Sequence, residues 1–403
     1  MPIATTPMER PRGARVLVAA WVGSTNLGDE LVLAGLVRLL RSQGHQVAAI
    51  SLHPDATRTA HGIGAIDHRR IDQLLRATRA ADLVVWGGGG LVQDETSPFN
   101  LPYHLSRAWL AELARTPWVG LGLGAGPVTG RLGDRIVTTL RRAHAVTVRD
   151  VASQAVLAEH GVSSRVTADL AVHLAGPASW STCAEVECEL GGAAGGGGAA
   201  AGPAPVVVSL RPWGGGGGRL PVSWGGRTAQ APHGFVPTVA AAVDRVARRT
   251  GAPIRFVALQ TDRDRDLHRA IIAAMETPAR SLEPGLAALP QLLAETRLVV
   301  AMRYHAGLLA TLTGRPSVLL GYSPKVDALA ALLGDGTVRL GVGPEEVACL
   351  DDAVVRALEG TDARTAAVLA AREQLIRAGR GNIEVVTDAL AASRLRGARH
   401  RPA

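Results

Sequence analysis

Short aliphatic runs alternate with longer amphipathic segments along nearly the whole chain, and this order admits few folds. Arg15–Trp21, Gln46–Leu52, Ala81–Trp86, Trp118–Gly122 and Ala145–Val148 read as strands. Helical patterns separate them, as in Glu30–Ser42, where Leu31, Ala34, Leu36 and Leu39 form one apolar stripe. A second series follows with Val206–Leu210, Ile254–Leu259, Leu298–Met302 and Ser317–Gly321, spaced by helical segments such as Thr238–Arg249 and Ala306–Thr313. Strands spaced by helices build βαβ units and parallel sheets. The expected class is therefore α/β, with two Rossmann-like domains.

The boundaries follow from composition. Residues 14–175 form the first domain, and 206–390 form the second with a long helical pattern near its end, Thr361–Arg380. Between them, 176–205 is rich in Gly and Ala and too poor in large apolar groups to pack, so it reads as a linker or insertion. Residues 391–403 carry Arg394, Arg396, Arg399 and Arg401 with little apolar content, and are expected to be a disordered basic tail.

Of the 403 residues, 47% are hydrophobic and 19% charged, which excludes a globally disordered chain. Aromatic residues make up only 3%, too few for a base-stacking platform, so no nucleic-acid partner is expected. The net charge of +8 favours anionic partners without choosing among them. Among 43 basic residues a single one, Lys325, is lysine. A flexible ammonium and a planar guanidinium are not interchangeable at a phosphate or carboxylate, which marks Lys325 as a candidate against the plain alternative of a surface lysine.

Cys183, Cys188 and Cys349 form neither a metal-ligand pattern nor a disulfide framework, which suits a reducing compartment. The first residues, Met1 to Arg15, lack the apolar core of a signal peptide, and no run approaches about 18 apolar residues. A cytoplasmic location is expected, with room for peripheral contact at the inner membrane face.

Seven motifs carry candidate chemistry. Gly23–Ser24–Thr25–Asn26–Leu27–Gly28–Asp29–Glu30 joins the first strand to the first helix, where free backbone N–H groups can hold an anion or a sugar hydroxyl. Its spacing is not the dinucleotide fingerprint, which argues against an oxidoreductase. Asp29 is either a helix cap or a carboxylate that orients or deprotonates an acceptor hydroxyl. Gly87–Gly90 and Gly122–Pro127 are expected directly at neighbouring strand ends, opening one crevice. Arg149 in Thr147–Asp150 stands at another strand end, either paired with Asp150 or Asp169 or free to take a carboxylate or phosphate.

Arg211, in Ser209–Trp213, ranks lower because glycines 214–218 follow it. The densest group is Met302–Arg303–Tyr304–His305, which places a permanent cation and a titratable ring at a helix N-terminus. One strand later comes Gly321–Tyr322–Ser323–Pro324–Lys325, so Arg303, His305 and Lys325 are expected to converge on one anion. No metal is expected: there are no paired His ligands, and Asp262–Asp266, interleaved with Arg, reads as a solvated helix start.

Taken in order, these motifs, together with Ala168–Asp169, resemble the polysaccharide pyruvyl transferase family over residues of about 15 to 345. They are most similar to its branch that pyruvylates secondary cell-wall polysaccharide for S-layer anchoring. The resemblance implies a GT-B-like arrangement with an interdomain cleft, and transfer of the pyruvyl group of phosphoenolpyruvate to a sugar as a cyclic ketal without a cofactor. Arg149, Arg303, His305 and Lys325 would form the donor pocket, with His305 and Asp29 catalytic. Asn26, Gly28, Gly88, Gly89 and Arg211 would support the acceptor side. Tyr304 stands where a leucine is more usual between that Arg and His. The implied acceptor is a lipid-linked glycan containing N-acetylmannosamine. Two other readings remain open: a GT-B glycosyltransferase using a nucleotide sugar, and a non-catalytic glycan-binding protein.

Overall fold

The computed structural model describes residues 13–94, 99–128, 130–175, 203–213, 231–359 and 361–399. The first sheet has seven strands, β1 (Arg15–Val22), β2 (Gln46–Ser51), β3 (Gly64–Asp67), β4 (Leu83–Val92), β5 (Trp118–Ala125), β6 (Val146–Val148) and β7 (Arg165–Val166). The second has six, β8 (Val206–Ser209), β9 (Ile254–Val257), β10 (Ala279–Leu282), β11 (Leu298–Ala301), β12 (Ser317–Leu320) and β13 (Thr337–Leu340). Every pairing is parallel. Their orders, β3-β2-β1-β4-β5-β6-β7 and β10-β9-β8-β11-β12-β13, follow one plan, each reversing direction beside its first strand.

The pleat assigns alternate side chains to opposite layers. Val16 and Val18 join one core cluster while Leu17 and Ala19 join another, and Val206 and Val208 separate from Val207 in the same way. The strands legible as apolar runs are interior to the sheets. The four not expected, β3, β7, β10 and β13, are the four sheet edges. An edge strand is paired and covered on fewer sides, so it needs no continuous apolar run.

The two halves pack as one core. A single cluster joins Leu31, Ala168, Ala171 and Val172 of the first domain to Tyr304, Leu308 and Leu329 of the second. Backbone also crosses: the Leu27 N–H donates to the Leu259 carbonyl at 2.7 Å, beside an antiparallel bridge between Asn26 and Gln260.

The last helix corrects the expected tail. It runs from Thr361 to Arg399 without a break, so residues 391–399 are helical; 400–403 lie outside the described residues. Val368, Ala371 and Leu375 pack in the shared cluster, whereas Val386, Ala389 and Leu390 pack beneath the first sheet. This apolar stripe extends the helix past the point where charge alone would have ended it. Most of the expected linker, 176–202, and the glycines 214–218 also lie outside the described residues.

Asn382 anchors that helix to the first domain. Fully buried, it accepts from Thr147 Oγ1 at 2.9 Å and Thr167 Oγ1 at 2.8 Å and donates to the Ala168 carbonyl at 3.0 Å. Asn382→Leu strands these partners and is expected to cost about 3 kcal/mol. A shift in the denaturation midpoint measures it.

Candidate active site

Open parallel sheets bind ligands beyond the carboxyl ends of their strands, where the strand order reverses. Here the two reversal points face each other. A cavity of about 80 Å³ lies between them, lined by Asn26, Asp29 and Gly90 from the β1 and β4 ends and by Arg149 beyond β6. The second domain contributes Arg211 beyond β8, Arg303, Tyr304 and His305 beyond β11, and Tyr322 and Lys325 beyond β12. Motifs spread over three hundred residues thus meet because each lies at the same end of a strand.

The first helix, Leu27–Ser42, begins at Asn26, whose Oδ1 accepts from the Gly28 N–H at 3.1 Å. Asn26, rather than Asp29, is therefore the cap. Asn26 Nδ2 donates to Asp29 Oδ2 at 2.7 Å, turning that carboxylate toward the cavity side of the helix. Desolvation raises Asp29 to about 6, against the opposing pull of His305.

Glu30, not singled out in the sequence, shapes the preceding loop. Its Oε1 accepts from the Gly23 and Ser24 N–H groups at 2.8 and 3.1 Å, and its Oε2 accepts from His61 Nε2 at 2.8 Å. Its place beside Asp29 was the available signal.

The glycine runs correct another expectation. Gly87–Gly90 and Gly122–Gly124 lie within β4 and β5 rather than beyond their ends. A Cβ on Gly88 would meet Val32 and Leu170, and one on Gly89 would meet Asp29; among these residues it is Gly90 that lines the cavity. A Cβ on Gly124 would stand 2.7 Å from an Arg149 Nη atom, so this glycine makes room for the guanidinium.

The cations differ in how they are held. Arg149 is buried, with Nη1 3.2 Å from Asp169 Oδ2 and its guanidinium carbon 4.0 Å from the Tyr304 ring centroid. Tyr304 thus gives Arg149 an aromatic face. Arg303 is buried too, its fork closed on Asp264 and its remaining N–H groups directed to Gln260 Oε1. Asp264 is therefore a buried ion-pair partner, not part of a solvated helix start.

Arg211 and Lys325 have no carboxylate within ion-pair distance among the described residues. Arg211 Nη1 donates to Tyr322 Oη at 3.1 Å. Lys325 keeps solvent contact through the cleft, while protein crowding and the nearby Arg211 and Arg149 lower its ammonium from the ordinary value. Burial alone would raise Tyr322, but Lys325, Arg211 and Arg303 bring its phenol down to about 8.

His305 opens the helix Tyr304–Leu312, with Nε2 3.6 Å from Asp169 Oδ2. That separation is an electrostatic contact rather than a hydrogen bond. Burial opposes ionisation of Asp169, but His305 and Arg149 outweigh it and hold this carboxyl well below the usual range. The other face of the imidazole closes on the first domain, where a Cβ on Gly28 would fall 2.2 Å from Nδ1. Gly28→Ala must displace the ring. Misplacement on the ångström scale is expected to lower kcat about 100-fold, and kinetics with a melting curve separate this from unfolding.

The family model for polysaccharide pyruvyl transferase matches residues 26–324, three-quarters of the chain and every residue named as lining the cavity except Lys325, which directly follows the match. The chain belongs to that family. Polysaccharide pyruvyl transferase chemistry is thus mounted on a GT-B-like frame of two Rossmann-like domains.

Solved structures agree on the frame. A putative UDP-N-acetylglucosamine 2-epimerase from Listeria monocytogenes is similar with a TM-score of 0.58 at 12% identity, over 91% of this chain and 94% of its own. The Anabaena protein Alr3699/HepE, solved with UDP and glucose, reaches 0.55 at 15% identity, over 93% and 99%. A glycosyltransferase from Rickettsia africae reaches 0.55 at 10% identity, over 94% and 99%. A comparison with curated proteins finds no match. Among the described residues, no helix is long and apolar enough to cross a membrane, and no group of three or more His, Cys, Asp or Glu side chains is placed to hold a metal ion.

Proposed function

We propose that this pyruvyl transferase takes phosphoenolpyruvate as donor and transfers its pyruvyl group to a sugar as a cyclic ketal, releasing phosphate. One observation carries the reading: four cationic side chains converge on a small cavity, and two of them, Arg211 and Lys325, lack a carboxylate partner among the described residues. Such a site is complementary to a compact, highly charged anion. Its volume of about 80 Å³ is well below the roughly 300–1,000 Å³ of pockets that enclose drug-sized ligands.

In this mechanism His305 protonates the methylene carbon of the donor, generating cationic character at the adjacent carbon. A sugar hydroxyl, deprotonated by Asp29, attacks that carbon; phosphate then departs beside Arg211 and Lys325, and a second hydroxyl closes the ketal. The acceptor we favour is N-acetylmannosamine in a lipid-linked cell-wall precursor, met at the cytoplasmic membrane face.

The test is phosphate release together with acceptor mass, using phosphoenolpyruvate and a lipid-linked disaccharide analogue bearing N-acetylmannosamine. Equal phosphate and ketal yields, unchanged in excess chelator, support the reading. Tight binding of a nucleoside diphosphate with no binding of phosphoenolpyruvate overturns it in favour of a nucleotide-sugar transferase, and glycan binding without donor consumption favours a non-catalytic protein.

The same assay reads Asp29. A base must be ionised in the free enzyme, and Asp29 ionises near 6, so kcat/KM should fall as pH drops through about 6. In Asp29→Asn that acid limb should disappear along with most of the activity.

A further inference from the structure

Departure of phosphate calls for a proton on the oxygen through which it leaves, and the geometry points to Tyr322 as the catalytic acid that supplies it. This rests on the phosphoenolpyruvate reading above. Tyr322 follows β12, packed against both the cluster shared by the two domains and the second domain's own core cluster, while the residue also lines the cavity.

Its surroundings come from three directions. Beyond β8, Arg211 donates from Nη1 to Tyr322 Oη at 3.1 Å; on the helix Pro324–Leu333, Lys325 Nζ lies 5.8 Å from the ring centroid. Beyond β11 stands Arg303, already closed on Asp264 of the helix Thr261–Ala274, and Arg149 approaches Lys325 from the first domain. Guanidinium and ammonium groups donate only, so they occupy the phenol oxygen's lone pairs and cannot take its proton.

The Ser323 hydroxyl also neighbours the phenol and can donate to the phenolate, but it is no base, so a ligand in the cavity is left to take the proton. The cations that lower the phenol to about 8 also leave it neutral near pH 7 and stabilise the phenolate formed when it donates.

The step balances. The bond between the pyruvyl carbon and the phosphate oxygen breaks with its electron pair going to oxygen. That oxygen takes the proton from the breaking phenol O–H bond, and hydrogen phosphate leaves. The oxocarbenium carbon is captured by the second sugar hydroxyl, whose proton returns to the phenolate.

The test compares the wild-type enzyme, Tyr322→Phe and enzyme carrying 3-fluorotyrosine at position 322, by phosphate release across pH and by the phosphoenolpyruvate-induced rise in melting temperature. Tyr322→Phe is expected to lower kcat about 100-fold or more with donor KM within a few-fold. Wild-type kcat/KM for phosphoenolpyruvate should fall above about pH 8, and the fluorinated enzyme, with a more acidic phenol, should show this limb at lower pH. A structural role would lower the melting temperature without moving the limb. Wild-type turnover in Tyr322→Phe, or a limb that stays in place with the fluorinated residue, overturns the assignment. If Tyr322→Phe does not fold, the fluorinated enzyme still decides, because it keeps the phenol. The donor reading fails separately, through absence of any phosphoenolpyruvate-induced shift in the wild type.

Discussion

His305→Ala is expected to lower turnover by about 10²–10⁴-fold while leaving the melting temperature close to that of the wild type. The ring stands between a carboxylate of the first domain, 3.6 Å from its Nε2, and the backbone of Gly28 on its other side. It fills the seam between domains without anchoring it: Leu27 to Leu259 backbone pairing and the shared apolar cluster hold the halves together independently. Removing the imidazole therefore removes a proton donor and little else. Donor binding should persist, so KM should move far less than kcat. If His305→Ala keeps kcat within a few-fold, protonation of the donor belongs to another group.

Lys325→Met is expected to act in the opposite manner, raising the KM for phosphoenolpyruvate far more than it lowers kcat. A charge-assisted hydrogen bond to an anion contributes about 1.5–3 kcal/mol, which corresponds to about a 10- to 150-fold loss of affinity. The ammonium has no carboxylate partner among the described residues and stays open to the cleft, so its loss should leave the free protein's stability nearly unchanged. A second readout follows from the same geometry. Lys325 heads the cations that lower the Tyr322 phenol, so Lys325→Met should move the basic limb of kcat/KM to higher pH. Steady-state kinetics across pH, with donor titration by calorimetry, checks both.

The cations illustrate what kind of information a sequence holds about such a site. Arg149, Arg211, Arg303, His305 and Lys325 all line one cavity because each stands shortly beyond the carboxyl end of a strand, and a strand interior to a parallel sheet announces itself as an apolar run. What local sequence does not disclose is how each cation is partnered. Arg303 and Lys325 look equivalent as basic residues beyond neighbouring strands, yet Asp264 closes on Arg303 while no carboxylate reaches Lys325. Asp264 itself looked solvated among its arginines and is fully buried.

Composition and periodicity alone determined the two α/β halves, their interior strands and the strand ends after which the cavity-lining cations stand. These depend on burial of strand faces and on the turn that must follow each strand, both local properties. Only the tertiary structure decided the edge strands, the course of the last helix onto the first domain, the role of Glu30 in shaping the Gly23–Ser24 loop, and the cationic setting of Tyr322. Each of these depends on groups distant in the chain: Asn382 meets Thr147, and Tyr322 meets Arg211, only after both sheets have formed and packed. Pairing energies of this kind belong to distances in space, and periodicity along the chain carries no record of them.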